Sequence, residues 1–234
     1  MTYTLDPIGV IHSPYKEKFA VPRQPRLAPS TTAYLTLTGA ANTPESVRGI
    51  EQFSHVWLLF LFDQNLDAGW RPTVRPPRLG GNERIGVFAS RATFRPNGIG
   101  MSAVELKGVI QEKDQTTLEL GSVDLVEGTP IIDIKPYVPY SDAIPDAIGG
   151  FAERAPELLD VNFSEQALTQ LHQHNNQKQV KAVIKEVLSQ DPRPAYKKSK
   201  EDNKEYAVNL FDLNVKFVVK LDNIIVTGVF PLSE

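Results

Sequence analysis

The 234-residue sequence predicts a mainly β protein, with a β-barrel N-terminal domain followed by a small C-terminal α/β domain. Short runs of strand-forming residues, each bounded by Gly, Pro, Asn or Asp, recur through the first two-thirds of the chain. Helical periodicity is nearly absent there, so no crossover helices are available for a parallel sheet. Antiparallel strands that must hide their edges then close, or nearly close, on themselves. After Pro136 the pattern changes, and two helical stretches precede three further strands.

Taken in order, Ile8–His12 is a short apolar run, and Ala33–Thr38 is compatible with a strand, with Tyr34, Leu35 and Leu37 available for burial. Thr43–Phe53 reads as a short turn, with Thr43-Pro44-Glu45 supplying a cap and a proline at the first position. His55–Phe62 is continuously apolar and aromatic, as a buried central strand is, and His55 is expected to be a hydrogen-bonded core histidine. Arg84–Ser90, Ser102–Ile110, Thr116–Leu120 and Ile131–Ile134 complete the predicted barrel.

Tyr137–Ala155 is rich in Pro, Asp and Gly and reads as a linker, giving a barrel domain over 1–145 and an α/β domain over 146–234. In the second, Ser164–His174 and Gln177–Gln190 read as helices. Val180, Val183, Ile184, Val187 and Leu188 fall at i, i+3, i+4, i+7 and i+8, one buried face. Asp191-Pro192 stops the helix. Tyr206–Leu213, Val215–Leu221 and Ile224–Phe230 read as strands, the last two joined at Asp222-Asn223.

Composition narrows the chemistry. With 41% hydrophobic and 23% charged residues the chain is globular, and the absence of Cys excludes thiol nucleophiles, Cys-ligated zinc and iron–sulfur clusters. No apolar run approaches the ~18 residues of a membrane span, and the first residues lack a secretion signal, so a cytoplasmic protein without membrane attachment is expected. The four histidines form no HExxH pattern, and His172 and His174, at i and i+2 of a predicted helix, point apart; no metal is expected. No GxSxG elbow is present. Gly98 to Ala103 spells GxGxxA, but a turn precedes it and a strand-like run follows, the reverse of a dinucleotide fingerprint.

Charge is unevenly placed. The net charge is −3, yet Ala68–Gly98 holds Arg71, Arg75, Arg78, Arg84, Arg91 and Arg95 against Glu83 alone. Ser13–Ala28 adds Lys16, Lys18, Arg23 and Arg26 against Glu17. Local patches set the field that a polyanion meets. Prolines stiffen the arginine stretch on both sides of Gly80-Gly81, so Arg71, Arg75 and Arg78 are held ready for phosphates or a carboxylate. Asp124 and Asp133 interrupt apolar runs and need partners, which nearby Arg or Lys135 supplies; the alternative is a ribose hydroxyl or an exocyclic amine. Asp191-Pro192-Arg193-Pro194-Ala195-Tyr196, followed by Lys197, Lys198 and Lys200, reads as an exposed basic loop bearing a tyrosine.

The stretches IGVIHSPYK, FAVPRQPRL, FSHVWLLFLF, WRPTVRPPRLGG, GVFASRATFRPN, DLVEGTPIIDIKPY and DPRPAY resemble the TsaA-like, or TrmO, family over essentially the whole chain. The resemblance implies a single β-barrel, a homodimer and S-adenosyl-L-methionine as methyl donor. It also implies N6 of adenosine 37 in the tRNA anticodon loop as acceptor, already threonylcarbamoylated in bacterial relatives. It places Pro25, Arg26, Leu27, Asp63, Gln64, Arg91, Met101, Ser122, Val123 and Asp124 at the donor. Asp124 and Asp133 are then candidates to take the amine proton, and Arg71, Arg75, Arg78, Lys135, Tyr137, Arg193, Tyr196 and Lys197 candidates to hold RNA, with Tyr196 or Tyr137 as a stacking platform. Relatives often have His-Gln at Asp63-Gln64, and Pro at Gly98. The same barrel acting on another acceptor, and a non-catalytic RNA-binding barrel, are the competing readings.

Overall fold

The computed structural model describes residues 3–193, 197, 202–221 and 223–232. The chain forms two compact units. The first runs to His12 and takes in residues 33–121 and 128–154. The second is built from residues 13–32, 122–127 and 155 onward, so two segments distant in sequence fold with the C-terminal region.

The first unit contains β1 (Gly9–His12), β2 (Ala33–Leu37), β3 (His55–Leu61), β4 (Thr73–Val74), β5 (Ile85–Gly86), β6 (Ile99–Glu112), β7 (Gln115–Leu120), β8 (Pro130–Pro136) and a single helical turn, α1 (Pro139–Asp142). Six of these strands form one antiparallel sheet in the order β1–β2–β7–β6–β3–β8. Gly9↔Ile131 and Val10↔Pro130 join its two ends, so the sheet leaves no free edge. Alternate residues point inward, and Ile11, Leu35, Leu37, Val56, Leu58, Phe60, Val104, Leu118, Leu120 and Ile131 make the core.

That alternation corrects two expectations. Tyr34 is exposed, because Ala33, Leu35 and Leu37 already occupy the inner face of β2. β3 is buried only at Val56, Leu58 and Phe60, while His55, Trp57, Leu59 and Leu61 are half-covered on the outer face. His55 is therefore not in the core, although its Nδ1 and Ser54 Oγ lie 2.9 Å apart in a hydrogen bond. A bulge in the β3–β8 pairing aligns Leu59 with Asp133 and Phe60 with Ile131. It places Asp133 and Lys135 outside, on the face of Trp57 and Leu59.

The predicted strand at Arg84–Ser90 shortens to the two residues of β5, which pair with β4 as a separate ribbon before the 3-10 turn Val87–Ala89. The stretch read as a linker instead folds against the first unit. Trp57 Nε1 donates to Asp142 Oδ2 at 2.9 Å, and the Val138 N–H donates to the same oxygen at 2.8 Å.

The second unit contains β9 (Asp160–Phe163), α2 (Glu165–Leu171), α3 (Gln177–Ser189), β10 (Asp202–Leu210), β11 (Leu213–Lys220) and β12 (Asn223–Pro231). Its sheet runs β10–β11–β12–β9, the last pair parallel. β9 was not expected, because its four residues include Asp160 and Asn162, which read as turn formers. Ser164 caps α2 by accepting from Ala167 N at 3.1 Å. All five stripe residues of α3 are buried, which is how an amphipathic helix gains its stability. Asp222, expected in the last turn, lies outside the described residues. Residues 13–32 are stitched into this unit by backbone bonds from Phe211 N to Pro14 O (2.7 Å) and from Glu127 N to Tyr15 O (2.9 Å). Tyr15 is fully buried, its hydroxyl 2.8 Å from Thr31 Oγ1, and burial pushes its phenol well above the ordinary tyrosine range.

Candidate functional site

In the second unit the loop around Pro25, Arg26 and Leu27 is pinned at several backbone points. Gln190 Oε1 accepts from Arg23 N at 3.2 Å, and Gln190 Nε2 donates to Leu27 O at 3.3 Å. Glu186 accepts from Ser30 N at 2.9 Å and from Ser30 Oγ at 2.6 Å, while Gln179 Nε2 donates to Ser30 O at 3.2 Å. Ser122 Oγ accepts from Ala28 N at 3.4 Å, which brings the Ser122–Asp124 stretch to the same loop. All three α3 or C-cap residues in this network are polar positions off the apolar stripe, so no sequence signal separates them from solvated ones.

Arg26 stands out within this cluster. Its φ of 70° lies in the left-handed region, where a long side chain is uncommon, and among the described residues no carboxylate pairs with its exposed guanidinium. Val123 is fully buried, backbone included, so it supports the stretch from within, whereas Asp124 is half-buried.

In the first unit β3 and β6 bring Asp63, Gln64 and Met101 to one end of their pairing. Leu59 is in register with Met101, Phe62 N donates to Gly98 O at 2.8 Å, and Asp63–Asn65 form the 3-10 turn that follows. Met101, Asp63, Gln64 and Arg91 are all exposed. Asp133 is already engaged, with Lys135 Nζ 2.8 Å from its Oδ2 and the Ile134 N–H donating to its Oδ1 at 2.9 Å. The partner expected for this carboxylate is thus Lys135 on its own strand.

The ribbon of β4 and β5 and its flanks hold the arginines. Arg71, Arg75, Arg78, Arg84 and Arg91 are exposed. Among the described residues no carboxylate pairs with Arg71, Arg75, Arg78 or Arg84; Arg78 Nη1 donates to Arg154 O at 2.6 Å and Arg84 Nη1 to Thr73 Oγ1 at 3.5 Å. Arg95 differs, folding back on Ser90 O and Ala92 O at 3.0 and 3.3 Å. Unneutralised guanidiniums in such number make a surface that attracts anions and can grip phosphates two-pronged.

Three expected RNA contacts sit differently from their sequence reading. Arg193, expected on an exposed basic loop, has a side chain only 1% exposed and is paired with Asp191. Burial and a protein carboxylate withdraw its fork from a phosphate. Tyr137 is half-buried, its ring 5.6 Å from that of Trp57 and 6.3 Å from that of His55, so part of its stacking surface is spent. Tyr196 lies outside the described residues, and Lys197 is half-buried. Among the described residues no group of His, Asp and Glu converges as metal ligands do, and no helix is long and apolar enough to cross a membrane.

Comparison with known proteins is specific. Residues 10–143 match the tRNA-methyltransferase O N-terminal domain and residues 156–232 the TrmO C-terminal domain. A tRNA (adenine(37)-N6)-methyltransferase of Escherichia coli K12 is 54% identical over 220 residues, 93% of this chain and 94% of that one. A Pseudomonas aeruginosa chain with the provisional description S-adenosylmethionine-dependent methyltransferase RcsF is 51% identical over 217 residues, 92% of each. The crystal structure of TrmO from Pseudomonas aeruginosa superposes with a TM-score of 0.81 at 44% identity, covering 98% of both chains.

Proposed function

Since the chain belongs to the tRNA-methyltransferase O family, we propose that it methylates N6 of adenosine 37 in tRNA, with S-adenosylmethionine as donor. The match to both domains of that family, in order along one chain, carries this reading. S-adenosylmethionine supplies an electrophilic methyl on a positively charged sulfur, together with a carboxylate, an ammonium and an adenosine. The residues present suit those groups. Arg26, exposed and paired with no carboxylate among the described residues, is suited to bind a carboxylate two-pronged. The backbone of half-buried Pro25 and Leu27 offers polar groups on a loop that Ser122 already holds at Ala28 N, with Val123 packed as its support, so little ordering cost remains on binding. Asp63, Gln64, Arg91 and Met101 are proposed as donor contacts on the family resemblance of their segments alone.

Attack by N6 leaves a proton to be removed, because the amine nitrogen shares its lone pair with the ring. Asp124 is assigned that proton. Asp133 has its two oxygens on Lys135 and Ile134, which suits it to a surface role. A positioned base contributes about a hundredfold or more. Asp124→Asn is therefore expected to lower kcat by about that factor, with Asp133→Asn close to the parent.

The arginine ribbon is assigned the RNA backbone, and one of its forks the carboxylate of a threonylcarbamoyl group already on the adenosine. Lys135 and Tyr137 are proposed as further RNA contacts, as are Lys197 and, outside the described residues, Tyr196, and the region from residue 146 shares in tRNA binding. Adenosine 37 lies in a loop, where a base is presented without melting a helix. We place the enzyme in the cytoplasm as a homodimer, built on a barrel in its N-terminal domain. The test is mass spectrometry of nucleosides from tRNA incubated with the protein and donor. N6-methyl-N6-threonylcarbamoyladenosine is the expected product, and methylation at another atom refutes the acceptor assignment.

A further inference from the structure

The ribbon carries two large aromatic side chains that the methylation chemistry does not use. Phe88 is 78% exposed and Trp70 54%. Neither sits on a loose loop. Phe88 is the middle residue of the turn Val87–Ala89, and its neighbour Val87 is buried as an anchor at 1% exposure. Val87 N donates to Pro72 O at 3.0 Å, and Val87 O accepts both from Ser90 N at 3.2 Å and from Ser90 Oγ at 2.9 Å. Trp70 follows the left-handed Gly69 (φ 67°), whose N–H is held by Leu66 O at 3.0 Å. It precedes Arg71, whose N–H donates to Phe94 O at 3.3 Å.

The ribbon register aligns Thr73 with Gly86. Trp70 thus leaves the chain just before β4 and Phe88 just after β5, at the same end of the ribbon, beside Arg71 and Arg91. Two firmly mounted rings held in water cost free energy that a partner recovers. The arginines that flank them require that partner to be anionic.

We infer that Trp70 and Phe88 are stacking surfaces for unpaired nucleobases of the anticodon loop, while the neighbouring guanidiniums hold its phosphates. The inference rests on the tRNA reading and names where the loop is gripped. Single-stranded RNA offers free base faces and a charged backbone together; a duplex hides the former. A second copy of the chain docked here by two-fold symmetry brings like-charged ribbons face to face, which is unfavourable.

The chain has two tryptophans, Trp57 and Trp70. In the Trp57→Phe protein, Trp70 emission reports the ribbon alone. Titration with an anticodon stem-loop RNA is expected to quench it, with a fully paired RNA of equal length giving little change. Phe88→Ala is expected to weaken stem-loop binding about tenfold, Phe88→Tyr to restore it, and donor affinity by calorimetry to stay put in both. Absent quenching in a protein that still methylates tRNA overturns the stacking role and leaves the enzymatic reading intact. A parent protein that fails to methylate tRNA at all overturns the reading and the inference with it. A change of sedimentation from dimer to monomer in Phe88→Ala, with RNA affinity unchanged, assigns the rings to a subunit interface and also overturns it.

Discussion

Arg193 closes its guanidinium on Asp191 two residues earlier, Nε to Oδ1 at 2.9 Å and Nη2 to Oδ2 at 3.0 Å. The same carboxylate accepts the Arg193 backbone N–H at 3.2 Å, and Asp191 has the left-handed φ of 50° that turns the chain out of α3. Removing one member of such a buried pair leaves an uncompensated charge, at a cost of about 3–5 kcal/mol. Arg193→Ala is expected to lower the urea midpoint accordingly, and Arg193→Lys, which keeps the charge but loses the planar fork, to recover only part. Unchanged stability with a selective loss of RNA affinity contradicts this and returns Arg193 to the RNA surface.

Glu186 and Gln190 hold the Arg23–Ser30 loop through its backbone, so on the proposed donor role of that loop they act at one remove. Glu186→Ala together with Gln190→Ala is expected to raise the calorimetric Kd for S-adenosylmethionine about tenfold or more, each hydrogen bond contributing on the order of 1 kcal/mol. kcat at saturating donor and the KM for tRNA should change little. A fall in kcat at unchanged donor Kd assigns the pair another task.

Gly98 has φ 60°, and a Cβ there runs into the Leu66 side chain. Its N–H also donates to Arg95 O at 3.1 Å. Proline fixes φ near −65° and has no N–H. Gly98→Pro is therefore expected to destabilise the protein by about 3 kcal/mol or more; an unchanged melting temperature shows that the turn rearranges freely.

Asp142 is held below the usual carboxylate range first by the Val138 N–H and then by the Trp57 indole N–H. A depressed folded-state pKa means that its contribution is complete above the unfolded value of about 3.9 and fades as pH falls through the lower folded value. In a Trp70→Phe background, Trp57 emission is expected to titrate with a midpoint below 3.9, and Asp142→Asn to abolish that step. A midpoint at or above 3.9 contradicts the hydrogen-bonded geometry.

What was legible in the sequence follows from periodicity. The α3 stripe and the alternation of β6 are local patterns, readable because one face is buried, whereas in β2 the run of Tyr34 and Leu35 hid which face turns inward. β9 was not readable, since its four residues pair in parallel with a strand sixty residues away. Nor was the fate of Arg193. A loop of Asp, Pro, Arg and Tyr looks solvated in one dimension, and only the reversal at Asp191 shows that the charges face each other. The outward turn of Asp133 likewise depends on a bulge that no residue pattern announces. The arginine ribbon was legible, because proline, glycine and arginine together leave little but a stiff charged loop; its two-residue strands and the mounting of Phe88 were not.

Transfer of radiolabelled methyl from S-adenosylmethionine to threonylcarbamoylated tRNA, against the same tRNA with guanosine at position 37, tests the central claim most directly. The account predicts label only on the adenosine-containing tRNA, falling as salt screens the arginine ribbon. Equal labelling of both tRNAs, or none of either at low ionic strength, contradicts it.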